Sequence, residues 1–415
     1  MRFVVATYGT EGDTGPLSAL CRRLIDTGHD VRLLADGATL GSARALQVPA
    51  SALAGDIQAT LRESDELARA GGGDGFTRLA AAFARVANTN TAAWMAAITT
   101  AARGCDAILV SSLAAFAGLS VAEHLGVPAI GLGLIPITPT AAFPSPFLPP
   151  GLLPRWLNRA SHRLVNTMVW RAFRKATNAA RESIYGLPPR RAVWSDHPML
   201  YGVSPSLLSR PDDWPDNAHV CGQWLRPMLD WTPPPDLNDF LNAGEPPLYV
   251  GFGSMAGFDR RALLDAVIAA AAGRRALFYA GWSGIDTARL PANFLGVGDT
   301  PHGWLFPRTS LVIHHGGSGT THSAARAGVP SVVVPFAGDQ PFWADRLRRA
   351  GVAGPPVGVK RMSAEALARG IAFGESAGAR TRAAALGRRM SVEDGVAAAA
   401  SVIEKIMANR SRVPP

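Results

Sequence analysis

The sequence predicts an α/β protein of two Rossmann-like domains that face each other across a cleft. Short apolar runs typical of buried parallel strands alternate with helical stretches, and this alternation occurs twice along the chain. A proline-rich stretch at residues 226–247 separates the two series. The chain has 415 residues, more than a single hydrophobic core usually serves, and 47% of them are hydrophobic, which is ample for two cores.

The first half contains six predicted strands, each a short run of apolar or β-branched residues. They lie at residues 3–7, 31–35, 107–110, 129–132, 199–203 and 219–221. Helices are predicted from Pro16, which suits a first helical turn, to Gly28, and over residues 77–102, 119–125 and 163–185. The second half begins with a strand at 248–253 and alternates again until Val334. Trp156, Trp170, Gln223 and Trp224 are expected to be packing residues.

A glycine-rich segment follows the apolar strand 311–313 in the second half. Its sequence, His-His-Gly-Gly-Ser-Gly-Thr-Thr-His at residues 314–322, places glycines where the backbone must turn and hydroxyls where a helix begins. The N-terminus of a helix carries partial positive charge and free N–H groups, so a phosphate fits there. We expect His315 to project beside this anion site and His314 to pack beneath the loop.

A polar pair, Asp339 and Gln340, follows the next strand and therefore belongs to the same carboxyl edge of the sheet, where open α/β sheets bind ligands. A diphosphate held next to a carboxylate and an amide points to a nucleotide-linked sugar. A simpler alternative makes Asp339 the N-cap of a helix. The histidines at 314, 315 and 322 lack a carboxylate or cysteine partner at metal-ligand spacing, so we expect no metal site.

A second glycine-rich segment, Gly-Thr-Glu-Gly-Asp-Thr-Gly-Pro at residues 9–16, directly follows the first strand. Its glycines do not have the G-x-G-x-x-G spacing of dinucleotide-binding loops, and a carboxylate in such a loop would repel pyrophosphate. We therefore expect the Asp13 carboxylate to point into the cleft between the domains.

These motifs resemble the family 1 glycosyltransferases, above all the sterol glucosyltransferases and the bacterial enzymes that glycosylate natural products. The resemblance rests on residues 314–321, Pro335 and the Asp339-Gln340 pair, and extends to 251–255, 301–306, 338–343 and 393–395. It implies the GT-B arrangement. An N-terminal acceptor-binding domain would span residues 1–225, a linker 226–246 and a C-terminal nucleotide-sugar-binding domain 247–394, while the helix of segment 395–415 would pack back on the first domain.

The resemblance also implies that the protein is an enzyme, a hexosyltransferase, with Asp13 as the general base that removes the acceptor proton. The donor would be held by Gly12, Ser254, Thr300, His302, His315, Gly317, Ser318, Gly319, Thr320, Asp339 and Gln340. Asp339 and Gln340 would bind sugar hydroxyls, while His315 and the helix N-terminus would take the place of a metal at the diphosphate. No cofactor is expected, because the chain lacks the Asp-x-Asp motif of metal-dependent sugar transferases. The resemblance further implies inversion at the anomeric carbon.

Three positions depart from the pattern of many relatives. Ser323 stands where they carry a glutamate for the ribose, and Asp299 stands where plant enzymes stack a tryptophan on the base. The sequence at 338–343 favours UDP-glucose as the donor, whereas the missing glutamate suits the alternative, a dTDP-sugar. The strand end at 110–112 offers no carboxylate to orient the base, so Asp13 is expected to act without that partner.

The acceptor is expected in the first domain, near Asp13, between the alanine-rich helix and the proline-rich loop 134–153. This loop is apolar and stiff, which suits a flat lipophilic alcohol such as a sterol, a polyketide or a flavonoid. Two other functional classes remain open. A nucleotide-sugar epimerase or hydrolase would need no apolar acceptor site, and a non-catalytic binder of sugar nucleotides would not need Asp13.

The net charge of +9 comes almost entirely from arginine. Because no nucleic-acid-binding module is present, we expect no nucleic-acid partner. Arg171, Arg174, Lys175 and Arg181 lie among apolar residues of the predicted helix 163–185, whose basic face is either simply solvated or in weak contact with an anionic membrane. We expect a cytoplasmic protein, because the cysteines are scattered and the sequence lacks a signal peptide and a long apolar run. Peripheral contact with a membrane is the alternative left open.

Overall fold

The computed structural model describes residues 1–70, 75–228, 231–253, 259–281 and 287–410. The strands are β1 (Arg2–Ala6), β2 (Asp30–Asp36), β3 (Ala50–Leu53), β4 (Ala107–Val110), β5 (Ala129–Gly133), β6 (Met199–Tyr201), β7 (Ala218–Val220), β8 (Leu248–Gly251), β9 (Ala276–Tyr279), β10 (Phe294–Val297), β11 (Leu311–His314) and β12 (Ser331–Val333). The helices are α1 (Glu11–Asp26), α2 (Gly41–Ala45), α3 (Ile57–Ala70), α4 (Gly75–Ala101), α5 (Ala115–Leu125), α6 (Asn158–Tyr185), α7 (Pro235–Asn242), α8 (Arg260–Ala271), α9 (His302–Leu305), α10 (Ser318–Arg326), α11 (Gln340–Arg349), α12 (Ala364–Glu375), α13 (Ala377–Ser391) and α14 (Gly395–Arg410). Among the described helices, none is long and apolar enough to cross a membrane.

The first sheet has seven parallel strands in the order β3-β2-β1-β4-β5-β6-β7. Its central strand β4 is apolar and buried at every residue. Strands of this kind need helices on both faces. Leu20 of α1 packs on one face, and Trp94 of α4 and Val121 of α5 pack on the other.

The second sheet has five parallel strands in the order β10-β9-β8-β11-β12. Leu263 of α8 and Leu367 of α12 share one hydrophobic core with its strands, while Ala325 of α10 and Leu386 of α13 belong to another. In each sheet the strand order reverses at one place, between β1 and β4 in the first and between β8 and β11 in the second. The expected α/β architecture with two Rossmann-like units is confirmed.

The N-terminus of α1 was predicted wrongly at Pro16, because the helix begins five residues earlier at Glu11. Thr10 and Asp13 form a capping box that satisfies the first free N–H groups, and this local signal fixes the start. Pro16 therefore lies inside the helix, where it has no N–H to donate to the Gly12 carbonyl. The prediction also omitted β3, whose sequence Ala-Ser-Ala-Leu has few β-branched or aromatic residues.

The packing roles expected for four residues are met only in part. Trp170 and Trp224 are buried, and so is Gln223. Trp156, in contrast, lies at the surface with 80% of its side chain exposed.

The expected linker 226–246 contains a helix of its own, α7. Pro235 occupies its first turn, a position that proline favours. Leu237 is buried among residues of the second sheet, and Phe240 packs beside it. The second part of this segment therefore belongs structurally to the second sheet.

The last helix, α14, returns to the first sheet as expected. Ala399, Ile403 and Met407 join the core that contains Leu20. His29 and Glu404 lie 3.0 Å apart at its edge. Asp394 accepts a hydrogen bond from the Ala397 N–H at 2.9 Å and so caps the start of the helix.

A close backbone contact marks the place where the chain returns to the first domain. A Cβ atom at Gly222, which follows β7, would lie 2.8 Å from the Cα of Gly395, and one at Gly395 would lie 2.5 Å from the Gln223 carbonyl oxygen. Beside this contact, the Glu393 carboxylate accepts hydrogen bonds from the Ser204 hydroxyl at 2.9 Å and the Ser206 N–H at 3.3 Å. We call the contact between Gly222 and Gly395, with the bond from Ser204 to Glu393, the hinge joint.

Substitution of Gly395 by alanine tests the hinge joint. The added methyl would meet backbone atoms that cannot rotate away, so we expect a loss of about 1–3 kcal/mol in the free energy of unfolding, as for other overpacked sites. Urea unfolding followed by circular dichroism measures this loss. Gly358→Ala is the matched control, because a Cβ there has no heavy atom within 4 Å. Equal stability of the two variants would contradict the prediction.

Candidate active site

The two glycine-rich segments occupy equivalent places in the two sheets. The segment with Asp13 follows β1, next to β4, and the segment with His315 follows β11, next to β8. These are the points where the strand order reverses, and there the loops on either side diverge to leave a crevice at the carboxyl ends of the strands. Each sheet therefore contributes the crevice in which open α/β proteins bind their ligands.

Both carboxylate oxygens of Asp13 are held by neighbouring groups. Oδ2 accepts hydrogen bonds from the Thr10 N–H at 2.9 Å and the Thr10 hydroxyl at 3.2 Å. Oδ1 accepts a hydrogen bond from the Ser112 hydroxyl at 2.6 Å. Ser112 has a φ of 50°, in the left-handed region that few residues other than glycine adopt. The end of β4 thus offers Asp13 a serine hydroxyl in place of the carboxylate found in plant-type relatives.

Burial raises the pKa of Asp13, while the hydrogen bonds from Ser112 and Thr10 lower it and only partly offset the burial. Burial and, to a smaller extent, the negative charge of Asp13 raise the pKa of Asp339 to about 6. This electrostatic effect places Asp339, from the second sheet, within interaction range of Asp13, from the first. The cleft thus brings together two carboxylates that lie far apart in the sequence.

Asp339 precedes α11 but does not cap it, since its side chain makes no capping hydrogen bond. Instead, Oδ2 accepts a hydrogen bond from the indole N–H of Trp343 at 2.6 Å. The neighbouring Gln340 makes contacts within the protein. Its Oε1 accepts hydrogen bonds from the N–H groups of Phe336 at 2.7 Å and Ala337 at 3.0 Å, so this oxygen shapes the loop around Asp339.

The predicted histidines lie at the carboxyl edge of the second sheet. His314 is fully buried, and its Nδ1 accepts a hydrogen bond from the Gly316 N–H at 3.1 Å, so it supports the loop from below as expected. The His315 ring lies between two glycines, and a Cβ at Gly253 would be 3.0 Å from its Cε1. A Cβ at Gly317 would collide with the same ring. Glycine is needed at both positions because the imidazole fills the space.

Burial lowers the pKa of His315 and of His302 to about 4. The positive charge of Arg226 contributes to the lowered pKa of His302. His302 stacks on Phe306 at a centroid distance of 4.3 Å. At neutral pH both imidazoles are uncharged and offer hydrogen bonds instead of positive charge.

The first turn of α10 is open. Gly317 is its N-cap and provides no side chain, and the Thr321 N–H makes the first bond, to the Gly317 carbonyl at 2.9 Å. The N–H groups of the first turn, at residues 318–320, consequently have no acceptor inside the helix. The Ser318 hydroxyl donates instead to the Leu134 carbonyl of the first domain, at 3.0 Å.

The remaining predicted residues surround this edge or fall outside it. Thr300 donates to the Gly298 carbonyl at 3.0 Å. Gly12 and Gly319 are exposed, and Thr320 is half-buried. Ser254 lies outside the described residues. Asp299 accepts a hydrogen bond from the Tyr279 hydroxyl at 2.6 Å.

Sequence analysis missed two contributors to this cleft besides Ser112. Trp343 holds Asp339, and Arg226 forms an ion pair with Glu11 at 2.8 Å while it also donates to Ser42. The sequence placed Arg226 in a linker. A signal for Ser112 was present, since it follows β4 just as the Asp13 loop follows β1.

The loop 134–153 is firmly packed. Thr138 and Tyr201 share a hydrogen bond of 2.6 Å, and Asp213 accepts one from Thr140 at 2.5 Å. Phe143 is buried and contacts Phe342 of α11 at a centroid distance of 5.2 Å. The loop therefore bridges the two sheets on one side of the cleft.

No group of three or more histidine, cysteine, aspartate or glutamate side chains that could hold a metal ion occurs in the ranges the structure describes. The three cysteines are all buried as free thiols.

Comparison with known proteins assigns this architecture to a class. Residues 268–398 match the family model of the erythromycin biosynthesis protein CIII-like C-terminal domain. Among solved structures, the fold is similar to the glycosyltransferase SnogD from Streptomyces nogalater, with a TM-score of 0.65 and 22% identity, over 98% of this chain and 100% of that one. It is also similar to the glycosyltransferase VinC in complex with dTDP, with a TM-score of 0.69 and 17% identity, over 99% and 100% of the two chains.

Full-length relatives are closer in sequence. The chain is 36% identical to the O-mycaminosyltylonolide 6-deoxyallosyltransferase of Streptomyces fradiae, over 98% of this chain and 97% of that protein. It is 30% identical to a sterol 3-beta-glucosyltransferase of Arabidopsis thaliana, over 98% of this chain and 68% of that protein. The chain spans only 27% of the length of the corresponding Neurospora crassa enzyme. The chain belongs to the family 1 glycosyltransferases, enzymes that transfer a sugar from a nucleotide sugar to an acceptor.

Proposed function

We propose that this protein is an inverting, metal-independent hexosyltransferase that transfers glucose from UDP-glucose to a hydroxyl group of a lipophilic acceptor such as a sterol, a polyketide or a flavonoid. The observation that carries the proposal is the position of Asp13. Its carboxylate is held rigidly at the crevice of the first sheet and lies within electrostatic range of Asp339 at the crevice of the second.

The acceptor and the nucleotide sugar would be bound by different domains. Residues 1–225 would bind the acceptor and residues 247–394 the nucleotide sugar, with 226–246 as the connection and 395–415 returning to the first domain. The hinge joint supports this division, because it fixes how the two carboxyl edges face each other.

Asp13 is suited to act as the general base. An acceptor hydroxyl becomes nucleophilic only as its proton is removed, and a base with a raised pKa accepts that proton more readily. Each carboxylate oxygen has two acceptor sites, so the bonds from Thr10 and Ser112 leave room for the substrate hydroxyl. As the new C–O bond forms on one face of the sugar, the proton passes to Asp13 and the bond to the diphosphate breaks on the other face.

The leaving diphosphate would lie over the open first turn of α10. The N–H groups at residues 318–320 and the partial charge of the helix end are directed at this position. His315 adds a neutral imidazole donor, with Gly317 and Gly319 permitting close approach of the backbone. The Ser318 hydroxyl is already bonded to Leu134, so we assign its N–H to the phosphate, with the Thr320 hydroxyl beside it.

The other predicted contacts complete the donor site. Thr300 and His302 would border the nucleoside, and Gly12 would face the sugar from the first domain, with Ser254 expected at the phosphates. Asp339 would accept hydrogen bonds from sugar hydroxyls, since only its Oδ2 is bonded to Trp343. Gln340 would lie beside Asp339 at the sugar, while its Oε1 also holds the loop.

A dTDP-deoxysugar is the second candidate donor. Ser323 cannot supply the carboxylate that many relatives direct at the ribose, and it contacts Gln223 at 3.3 Å instead. The macrolide relative from Streptomyces fradiae is a 6-deoxyallosyltransferase by name. These two observations favour the alternative donor, while the sequence at 338–343 favours UDP-glucose.

The direct test incubates the protein with UDP-glucose or dTDP-glucose and a mixed panel of sterols, polyketides and flavonoids, followed by mass spectrometry. A mass gain of one hexose on an acceptor, unchanged by EDTA, supports the proposal. Release of free glucose without a glycosylated product would identify a hydrolase, and binding without turnover would identify a sugar-nucleotide binder.

Substitution of Asp13 by asparagine removes the base but keeps an oxygen for the Thr10 N–H. We expect kcat to fall by about 10²–10⁴-fold, the usual contribution of a general base, with donor affinity retained. Rates of transfer and calorimetric titration with UDP measure the two effects. Melting temperature serves as the control for the capping box. Turnover at the wild-type rate would remove Asp13 from the mechanism.

Ser112→Ala tests the orienting hydrogen bond. Because that bond lowers the pKa of Asp13, its loss should raise that pKa, and the acidic limb of kcat/KM against pH should move to higher pH. Ser112→Gly is the matched variant, since it also lacks the hydroxyl but relieves the positive φ. If the glycine variant keeps the wild-type profile, backbone strain and not the hydrogen bond is responsible.

Asp339→Ala should impair transfer while leaving the affinity for UDP nearly unchanged. The expected loss is about 1.5–3 kcal/mol in kcat/KM, typical of a charged hydrogen bond. Trp343→Phe is the matched control, because it removes the same internal bond but leaves the carboxylate. Parallel loss of UDP affinity in the alanine variant, or equal impairment of both variants, would place Asp339 in the nucleotide site or the fold.

A further inference from the structure

An exposed apolar row runs along α6 and the turn that precedes it. Leu152 is 60% exposed, Trp156 80%, Leu164 60% and Met168 59%. Leu164 and Met168 lie one helical turn apart and so occupy the same side of the helix. Large apolar side chains usually lie singly at a protein surface, so four of them in one segment are a feature that needs an explanation.

Cations flank this apolar row. Arg155, Arg163, Arg171, Arg174 and Lys175 are all exposed. Lys175 and Arg171 continue the side of the helix that carries Leu164 and Met168, at intervals of four and three residues. We call these cations and the four apolar side chains the α6 face.

The two other arginines of the segment are neutralised. Arg159 pairs with Asp213 at 2.6 Å, and the buried Arg181 pairs with Glu123 at 2.9 Å. The cations of the α6 face have no ion pair among the described residues.

Acidic residues are absent from the sequence around this face. No aspartate or glutamate occurs between residues 151 and 181, and none occurs in α4, the helix that packs alongside α6. Glu182 is the first acidic residue on α6. The positive potential over the two helices is therefore uncompensated along most of their length.

We propose that the α6 face docks the protein on an anionic lipid bilayer. A helix that lies flat at a membrane surface places its apolar side chains among the acyl chains and its cations at the phosphate groups. Trp156 is the natural anchor, since tryptophan favours the boundary between hydrocarbon and headgroups. An acidic protein would satisfy the charges but would not require Leu152, Trp156 and Met168 to be exposed together.

The docking surface is separate from the residues proposed for sugar transfer. Asp13, Asp339 and His315 lie at the carboxyl edges of the two sheets, whereas the α6 face lies on an outer helix. α6 packs on α4, whose Trp94 stacks on Tyr8 at a centroid distance of 4.5 Å, directly after β1. Docking would thus bring a membrane close to the side of the cleft where the acceptor is expected.

The test uses the full chain and sedimentation with vesicles of phosphatidylcholine alone or mixed equally with phosphatidylglycerol. We expect binding to the anionic vesicles only, and weaker binding at high salt. One variant combines Leu152→Ser, Trp156→Ser and Leu164→Ser, and another combines Arg163→Gln, Arg171→Gln and Lys175→Gln. Each should weaken binding at least about tenfold, since each basic residue near an anionic surface contributes measurably.

The matched control combines Arg388→Gln, Arg389→Gln and Val392→Ser, which removes two exposed cations and a side chain that is 85% exposed at the end of α13. It should bind as the wild type does. Circular dichroism melting checks that every variant is folded. Absence of binding by the wild type, equal binding to neutral vesicles, or equal loss in the control would overturn the proposal. So would sedimentation velocity that shows a dimer dissociated by the apolar variant, because the partner would then be a second copy.

Discussion

One close backbone contact, between Gly222 and Gly395, constrains how the chain connects the two sheets. Neither position leaves space for a side chain, so the chain leaves the first sheet and returns to it at a single point. Glu393 accepts hydrogen bonds beside this point, and α14 then fills the core of the first domain. The packing of Phe143, in loop 134–153, on Phe342 of α11 is a second contact between the two sheets. Because these contacts fix the two carboxyl edges face to face, Asp13 and Asp339 share one cleft.

The parts of the fold that follow from local sequence were predictable. Strand β4 coincides with its prediction, since four apolar residues are bounded by polar ones on both sides. Its counterpart β3 was missed because Ala50 and Ser51 lack the β-branched side chains that mark strands. The start of α1 was misplaced because Pro16 was given more weight than the capping box of Thr10 and Asp13. A local interaction thus fixes the start of α1, whereas β3 forms by pairing with β2.

The candidate site was predictable where one segment contains the whole feature. His315 and its glycines belong to such a segment, and the structure places them at the crevice as expected. The place of Ser112 after β4 indicates that it lies near Asp13, but its hydrogen bond to a residue 99 positions away forms only when β1 pairs with β4. The motif at residues 393–395 illustrates the converse. It contributed to the family resemblance, but Glu393, Asp394 and Gly395 join the two domains and lie outside the candidate donor site.

The charges in the cleft are arranged in a way that a metal-free transferase would require. Burial keeps His302 and His315 neutral at pH 7, so the proposed diphosphate position would be served by hydrogen-bond donors and the end of α10. Fixed dipoles of this kind stabilise a charge that develops during the reaction without having to reorganise. The negative groups, Asp13 and Asp339, lie instead where the proposed proton transfer and sugar binding would take place. The proposed donors for the leaving group and Asp339 thus lie on the second sheet, while Asp13, the proposed base, lies on the first. The hinge joint is one of the contacts that hold the two sheets together.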